Sequence, residues 1–294
     1  MDTSIPRLAL AGLAAVILLT LLVTGATSTA SFATHNPSWD GTADLRDIAD
    51  DASSLDVVRN ISAYDRTPAN DSLAIVLSPS EPYGPDAAAI RDFLDRGGTV
   101  LIAEDFRPNA NPLLSSIGAS ARFDGRPVRD ERYYEQSPTL AEVTVLDETN
   151  LTRDVESLVL NRGTVLEANN ATVLAHTTSA AYIDRDGDET LDATETPAER
   201  PVLAVESVGN GRLITLADPS VFINSMLEYG DNRAFATTLV SRYDRVLVDV
   251  SHAASVPPLV ALLLTVRESL PLQVAIGSVL VVAIAGRHRL GTLV

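Results

Sequence analysis

The chain has 294 residues, a formal net charge of −17 and no cysteine, which excludes disulfides, thiolate-held zinc, iron–sulfur clusters and a thiol nucleophile. All 22 basic residues are arginine, and 37 of the 39 acidic residues lie within 36–250. Such a surface argues against nucleic acid as a partner, because the phosphate backbone would meet like charge. It suits a protein working in concentrated salt, where charge is screened over ~3 Å at 1 M; the other reading is an ordinary acidic extracellular domain.

In chain order, the first element is an apolar run, Leu8–Val23, preceded by Arg7. It reads as an N-terminal membrane anchor within 1–30, or as a signal peptide cleaved near Ser28-Thr29-Ala30. A helix is expected over Thr42–Ala52 and a strand over Val57–Ile61. Leu73–Leu77 is a continuous apolar run, Pro85–Arg96 has apolar residues on one helical face, and Thr99–Ala103 is apolar again after Gly97-Gly98. That order is a βαβ unit and predicts a parallel sheet with a right-handed crossover. Ser157–Leu160, Thr164–Glu167 and Thr172–His176 read as short strands, and Val202–Ser207 with Arg212–Ala217 flank Gly209-Asn210-Gly211 as a hairpin. Asp231 is placed to cap a helix to Ser241, before a last strand at Val246–Val250.

The expected domain therefore spans 36–250. A C-terminal membrane segment covers 256–286, with Leu270–Ala285 as its span, and a cytoplasmic tail covers 287–294. Arg7 and Arg287/Arg289 flank the two apolar runs, which places both termini in the cytoplasm and the acidic domain outside the cell membrane. Sequons at Asn60, Asn70, Asn150 and Asn170 agree with that placement. The fold class is α/β: a largely parallel-sheet sandwich with added β hairpins, flanked by N- and C-terminal transmembrane helices.

The unit Leu73–Asp105 is similar to the core of class I glutamine-amidotransferase-like domains, as is Gly211–Asn224 followed by Asp231-Asn232-Arg233. Together with Asn36-Pro37-Ser38-Trp39-Asp40-Gly41 and the flanking apolar runs, these motifs resemble the archaeal membrane-anchored family called domain of unknown function 4350. That resemblance covers most of residues 1–285 and implies a partner in the envelope, since members stand alongside MoxR-type ATPase and von Willebrand-like systems. The amidotransferase resemblance also implies a Cys–His–Glu triad with the cysteine on a strand-to-helix elbow. The matching elbow here reads Glu104-Asp105-Phe106-Arg107, so the thiol route is closed. Ser78, Ser80 and Ser220 lack a G-x-S-x-G setting, and His35, His176, His252 and His288 stand in unrelated contexts.

Two groups of residues are candidates for a site. Glu104, Asp105, Asp218, Asn224, Asn232 and Arg233 are expected at or near the carboxyl ends of strands, where α/β sheets hold ligands, as a cleft or a docking edge. The bland alternative makes Asp231 or Asn232 a helix cap and Arg233 a surface ion pair. The second group is Asp184, Asp186, Asp188, Thr190, Asp192 and Glu195, at positions 1, 3, 5, 7, 9 and 12 of an EF-hand-type calcium loop. Glu189 departs from that pattern, standing where the loop wants glycine; the alternative is a solvated acidic turn.

The function expected from these features is a non-catalytic, membrane-anchored extracytoplasmic binding or scaffold module, with calcium as its one possible cofactor. The alternatives are a divergent carboxylate-dependent hydrolase and an auxiliary subunit of an envelope transport or assembly complex.

Overall fold

The structure is a computed structural model that describes residues 12, 13, 16–18, 30–107, 109–145, 149–253, 262, 265, 266 and 269–278. The chain divides into two units, residues 29–254 and the terminal stretches 1–28 with 255–294. The predicted spans Leu8–Val23 and Leu270–Ala285, and the 256–266 segment, fall largely outside the described residues. Among those that are described, 270–278 is helical, and no helix is long and apolar enough to cross a membrane.

Residues 29–254 form a mixed α/β fold. Its strands are β1 (Ser54–Val58), β2 (Ser72–Leu77), β3 (Thr99–Ala103), β4 (Arg122–Phe123), β5 (Val128–Asp130), β6 (Glu142–Val145), β7 (Ser157–Val159), β8 (Leu166–Glu167), β9 (Thr172–Thr177), β10 (Ala181–Ile183), β11 (Pro201–Val208), β12 (Gly211–Leu216) and β13 (Arg245–Asp249). The helices are α1 (Ala43–Ala52), α2 (Ala63–Arg66), α3 (Ala87–Asp95), α4 (Ala110–Ser116) and α5 (Asn232–Val240).

Nine strands make the main sheet, in the order β1-β13-β2-β3-β12-β11-β9-β6-β7. The first five run parallel to one another, and the remaining pairings are antiparallel. Every residue of β2 and β3 is buried, which explains why both read as unbroken apolar runs rather than as alternating patterns. Two small antiparallel pairs, β10 with β5 and β4 with β8, stand beside the main sheet. Helix α1 packs on α5, while α3 packs on α2, α4, β3 and β12.

The register fixes the upper edge of the sheet. Leu77 pairs with Ala103 and Ala103 with Leu216, so Ser78, Glu104 and Ala217 leave their strands at one level. Between β3 and β12 the chain makes its long excursion through α4 and β4–β11, and returns by the predicted hairpin. Gly209 in that turn has φ +61, and its Asn210 amide donates to the Asp95 carbonyl at the end of α3.

Two sequence expectations shift. The first strand lies at Ser54–Val58, not 57–61, and pairs with β13. Beyond it the Asn60 side chain accepts the Ser62 N–H, turning the chain into α2. The segment Thr164–Glu167 is a strand only at Leu166–Glu167, paired with β4. Helices α2 and α4 and the short strands β4, β5, β6 and β10 carry no long periodic pattern and were not expected.

The α3–β3 junction gives a direct test of packing. A Cβ on Gly98 would lie 2.3 Å from the Phe93 ring, and that ring is fully buried, edge-on to Tyr64 at 5.4 Å. Gly98→Ala is expected to cost about 1–3 kcal/mol by overpacking, lowering Tm by roughly 3–9 °C in a thermal melt.

Candidate functional site

The strand ends bring Glu104 and Asp218 to the same edge, both with no solvent exposure. Glu104 extends β3 by donating its N–H to the Leu216 carbonyl (3.2 Å). Its Oε1 accepts from Ser78 Oγ (3.2 Å) and the Asp105 N–H (3.0 Å), while Oε2 has no partner. Burial pushes the Glu104 carboxyl up to about 8, and the neighbouring Asp105 charge adds to the rise against its own N–H. Asp218 precedes a 3-10 turn, Pro219–Phe222, and caps it through Oδ1, which accepts the Ser220 N–H (2.7 Å). Its Oδ2 accepts the Asn161 N–H from the loop after β7. Burial raises Asp218 to about 7 despite those two N–H bonds, with Asp105 contributing. Asp105, half-buried, leads to the exposed Phe106 and Arg107.

The other members of the predicted group are fasteners. Asn232 is fully buried; its amide accepts the Val159 N–H (3.1 Å) and donates to the Val159 and Met226 carbonyls (both 2.9 Å). Asn224 accepts the Asp44 N–H in the first turn of α1 and donates to the Asn36 and Ser38 carbonyls. Arg233 is exposed and pairs with Glu228 (2.5 Å) and Asp44 (3.4 Å). Asp231 occupies the N-cap position of α5, but its side chain does not cap that helix. Its Oδ2 instead accepts the Glu156 and Ser157 N–H groups at the start of β7.

Sequence reasoning missed two features of this edge. Ser78 ends β2 with φ +42, a left-handed conformation rare for a side chain with a Cβ; thus the strained turn beside Glu104 follows β2 rather than β3. Asp249, at the end of β13, takes the hydroxyls of Tyr64 (2.9 Å) and Tyr83 (3.1 Å) on Oδ2 and the Ser251 N–H on Oδ1. Burial first, then the Asp249 charge, holds both tyrosines well above their ordinary range. His252 stacks on Tyr83 at 3.9 Å and reaches Asp86 at 3.5 Å. A carboxylate closing an apolar strand, as in Val246–Asp249, was the available sequence cue.

In the acidic loop, Asp184, Asp186 and Asp188 place ligand oxygens within 4.8 Å of one another. Asp184 accepts the Gly187 and Glu189 N–H groups, and Thr190 donates its N–H and hydroxyl to Asp188. Asp192 turns away onto Thr194, whose hydrogen bonds hold its carboxyl below the ordinary value. Glu195 is buried, with Oε1 on the Arg185 N–H (2.6 Å).

Two outcomes follow. Asn232→Ala leaves the buried Val159 N–H and carbonyl unpaired, while the Met226 carbonyl keeps the Tyr229 N–H, and is expected to cost about 2–3 kcal/mol, seen as a Tm drop of roughly 4–12 °C; a drop under roughly 2 °C would dismiss the clamp. For Glu104, the folded value near 8 lies above the ordinary 4.5. Between these pH values the folded chain holds a proton that the unfolded chain has lost, so stability falls as pH rises, by at most about 1.4 kcal/mol per unit. Asp218 has the same sign but completes its loss near pH 7. Urea unfolding should therefore show wild type still losing stability from pH 7 to 8, where Glu104→Gln levels off.

Solved structures similar to this chain include the mmIFT52 N-terminal domain, 21% identical with a TM-score of 0.53, covering 71% of this chain and 91% of that one. A ThuA-like protein from Bacteroides uniformis is 14% identical with a TM-score of 0.37, covering 63% of this chain and 76% of that one. A β-galactosidase from the Antarctic haloarchaeon Halorubrum lacusprofundi is 18% identical with a TM-score of 0.35, covering 59% of this chain and 22% of the enzyme. The first of these likenesses is one of fold. No curated protein sequence matches the chain. The model of one family matches residues 34–240, the span that carries all but one strand of the sheet and helices α1 to α5, and the chain belongs to that family, Domain of unknown function (DUF4350).

Proposed function

We propose that the chain is a non-catalytic binding or scaffold module of a halophilic archaeon. In this reading the fold is amidotransferase-like, tethered to the cell membrane with its main domain outside. The rim Asp105-Phe106-Arg107, exposed at Phe106 and Arg107, meets a protein partner in the envelope. One observation carries the reading: the polar groups at the strand ends are committed to holding backbone. Asp218 spends both oxygens on N–H groups, and Asn224 and Asn232 bond only main chain. The rim remains exposed, with Phe106 at 39% exposure next to the Arg107 guanidinium, the residue types that anchor interfaces. The tether and its direction rest on the apolar runs and their arginine flanks.

The second reading, a carboxylate-dependent hydrolase, is favoured by one feature, the pair of raised carboxyls Glu104 and Asp218 with Asp105 between them in charge. Against it stand the full burial of both carboxyls, which leaves neither open to a substrate, and the two backbone N–H groups that occupy both Asp218 oxygens.

The full chain, purified from native membranes in high salt, is expected to elute as a complex. Phe106→Ala with Arg107→Glu should release the partner and leave Tm within about 2 °C, because both residues are exposed. Turnover of glycan or peptide substrates by the purified chain, abolished by Glu104→Gln, would replace this reading with the hydrolase.

A further inference from the structure

We propose that residues 184–195 form a calcium site, with the converged side chains of Asp184, Asp186 and Asp188 as its carboxylate ligands and Glu195, outside that group but bonded to the Arg185 N–H, closing on the ion when it binds. The inference is independent of the docking function. Two observations lead to it. The first is the convergence of Asp184, Asp186 and Asp188 within 4.8 Å, three negative charges gathered where simple repulsion would spread them. The second is Glu195, only 5% exposed, whose Oε2 is sealed from solvent and has no hydrogen-bond partner. Its other oxygen sits on the Arg185 N–H, between the first two aspartates, so the orphaned oxygen belongs to a carboxyl already closed onto the loop. Asp184 is buried too, at 3%. Among the described residues neither Asp184 nor Glu195 has a cation within 4 Å. Asp184 has an N–H group on each oxygen, whereas the sealed oxygen of Glu195 has none, and a bound cation would supply its partner.

The donor chemistry selects the ion. Every candidate ligand is oxygen, and there is no nitrogen or sulfur in the group, which suits hard cations rather than zinc or copper. The spacing 1, 3, 5 and 12 supplies monodentate aspartates and a final glutamate that can bind through both oxygens, and six to eight such ligands fit calcium better than octahedral magnesium. Thr190 stands where the main-chain carbonyl serves, and Asp192 where a ligand usually acts through water. The backbone also adopts the bend that the loop pattern requires at its sixth position: Glu189 has φ +65, although it is not glycine.

The site would fasten the stretch between β10 and β11, which contains no regular secondary structure. That stretch is held at its ends by Asp184 N–H on the Pro127 carbonyl and by Ala198 N–H on the Ala181 carbonyl. Calcium would close the middle.

The test uses the purified full chain in high salt, with thermal melts in EGTA, magnesium chloride or calcium chloride. Calcium tenfold above a Kd of about 10⁻⁴–10⁻³ M should raise Tm by roughly 3–6 °C over EGTA, and magnesium by less than half of that. Glu195→Gln should abolish the calcium increment while melting in EGTA at or above the wild-type temperature, because it removes a buried unpaired charge. The exposed Asp186→Ala should also lose most of the increment with an unchanged melt in EGTA. Equal melting in calcium and EGTA, an equal magnesium effect, or a full calcium increment in Glu195→Gln would each overturn the site.

Discussion

The structure depends on polar side chains, anchored at the end of the sheet, that reach across to cap backbone N–H groups of distant segments. A sheet with five parallel strands ends in a row of loops whose main-chain groups have no ladder to join. This chain answers with Asp218, Asn224, Asp231 and Asn232, which secure the loop after β7, the first turn of α1, and β7 itself. Removing such a group leaves the partner amide buried and unpaired, so each carries more than the net value of one hydrogen bond.

The same logic accounts for how an acidic chain without lysine keeps charge inside. Glu206 binds the Ser120 and Ala121 N–H groups, and Asp130 those of Arg132 and Tyr133. Neutral donors are used where many proteins would use a cation. The bonds are short-range and survive screening by salt, whereas exposed pairs such as Arg233–Glu228 weaken in it. Glu104 and Glu195 are the departures, each keeping one oxygen that no donor meets.

Much of the fold was legible in the residues. The apolar runs of β2 and β3, the face of α3 and the Gly-Asn turn of the β11–β12 hairpin are local patterns, and the structure places each within a residue or two. Strands of two or three residues, such as β4 and β10, hold too few positions for a period to show. At the site, the position of Glu104 and Asp218 at strand ends was readable, but their roles were not. Asp218 meets Asn161 from 57 residues away, Asn232 meets Val159 from 73 and Asn224 meets Asp44 from 180. Such pairings exist only once the sheet has closed. Asp231 shows the trap: it occupies the cap position of α5 and spends its carboxylate on β7. The convergence of Asp184, Asp186 and Asp188 was readable because the three alternate within five residues.

The long excursion after β3 leaves the sheet at Glu104 and comes back at Pro201, the start of β11, on the edge it departed from. Its strands β6, β7 and β9 add to the sheet beyond β11, outside the five parallel strands. β7 is in turn tied back to the start of α5 by Asp231 and Asn232, so this extension is fastened at its far side as well. The parallel and antiparallel halves of the sheet are thereby interlocked, and a change at the outer edge is felt at the strand ends through the side chains that bridge them.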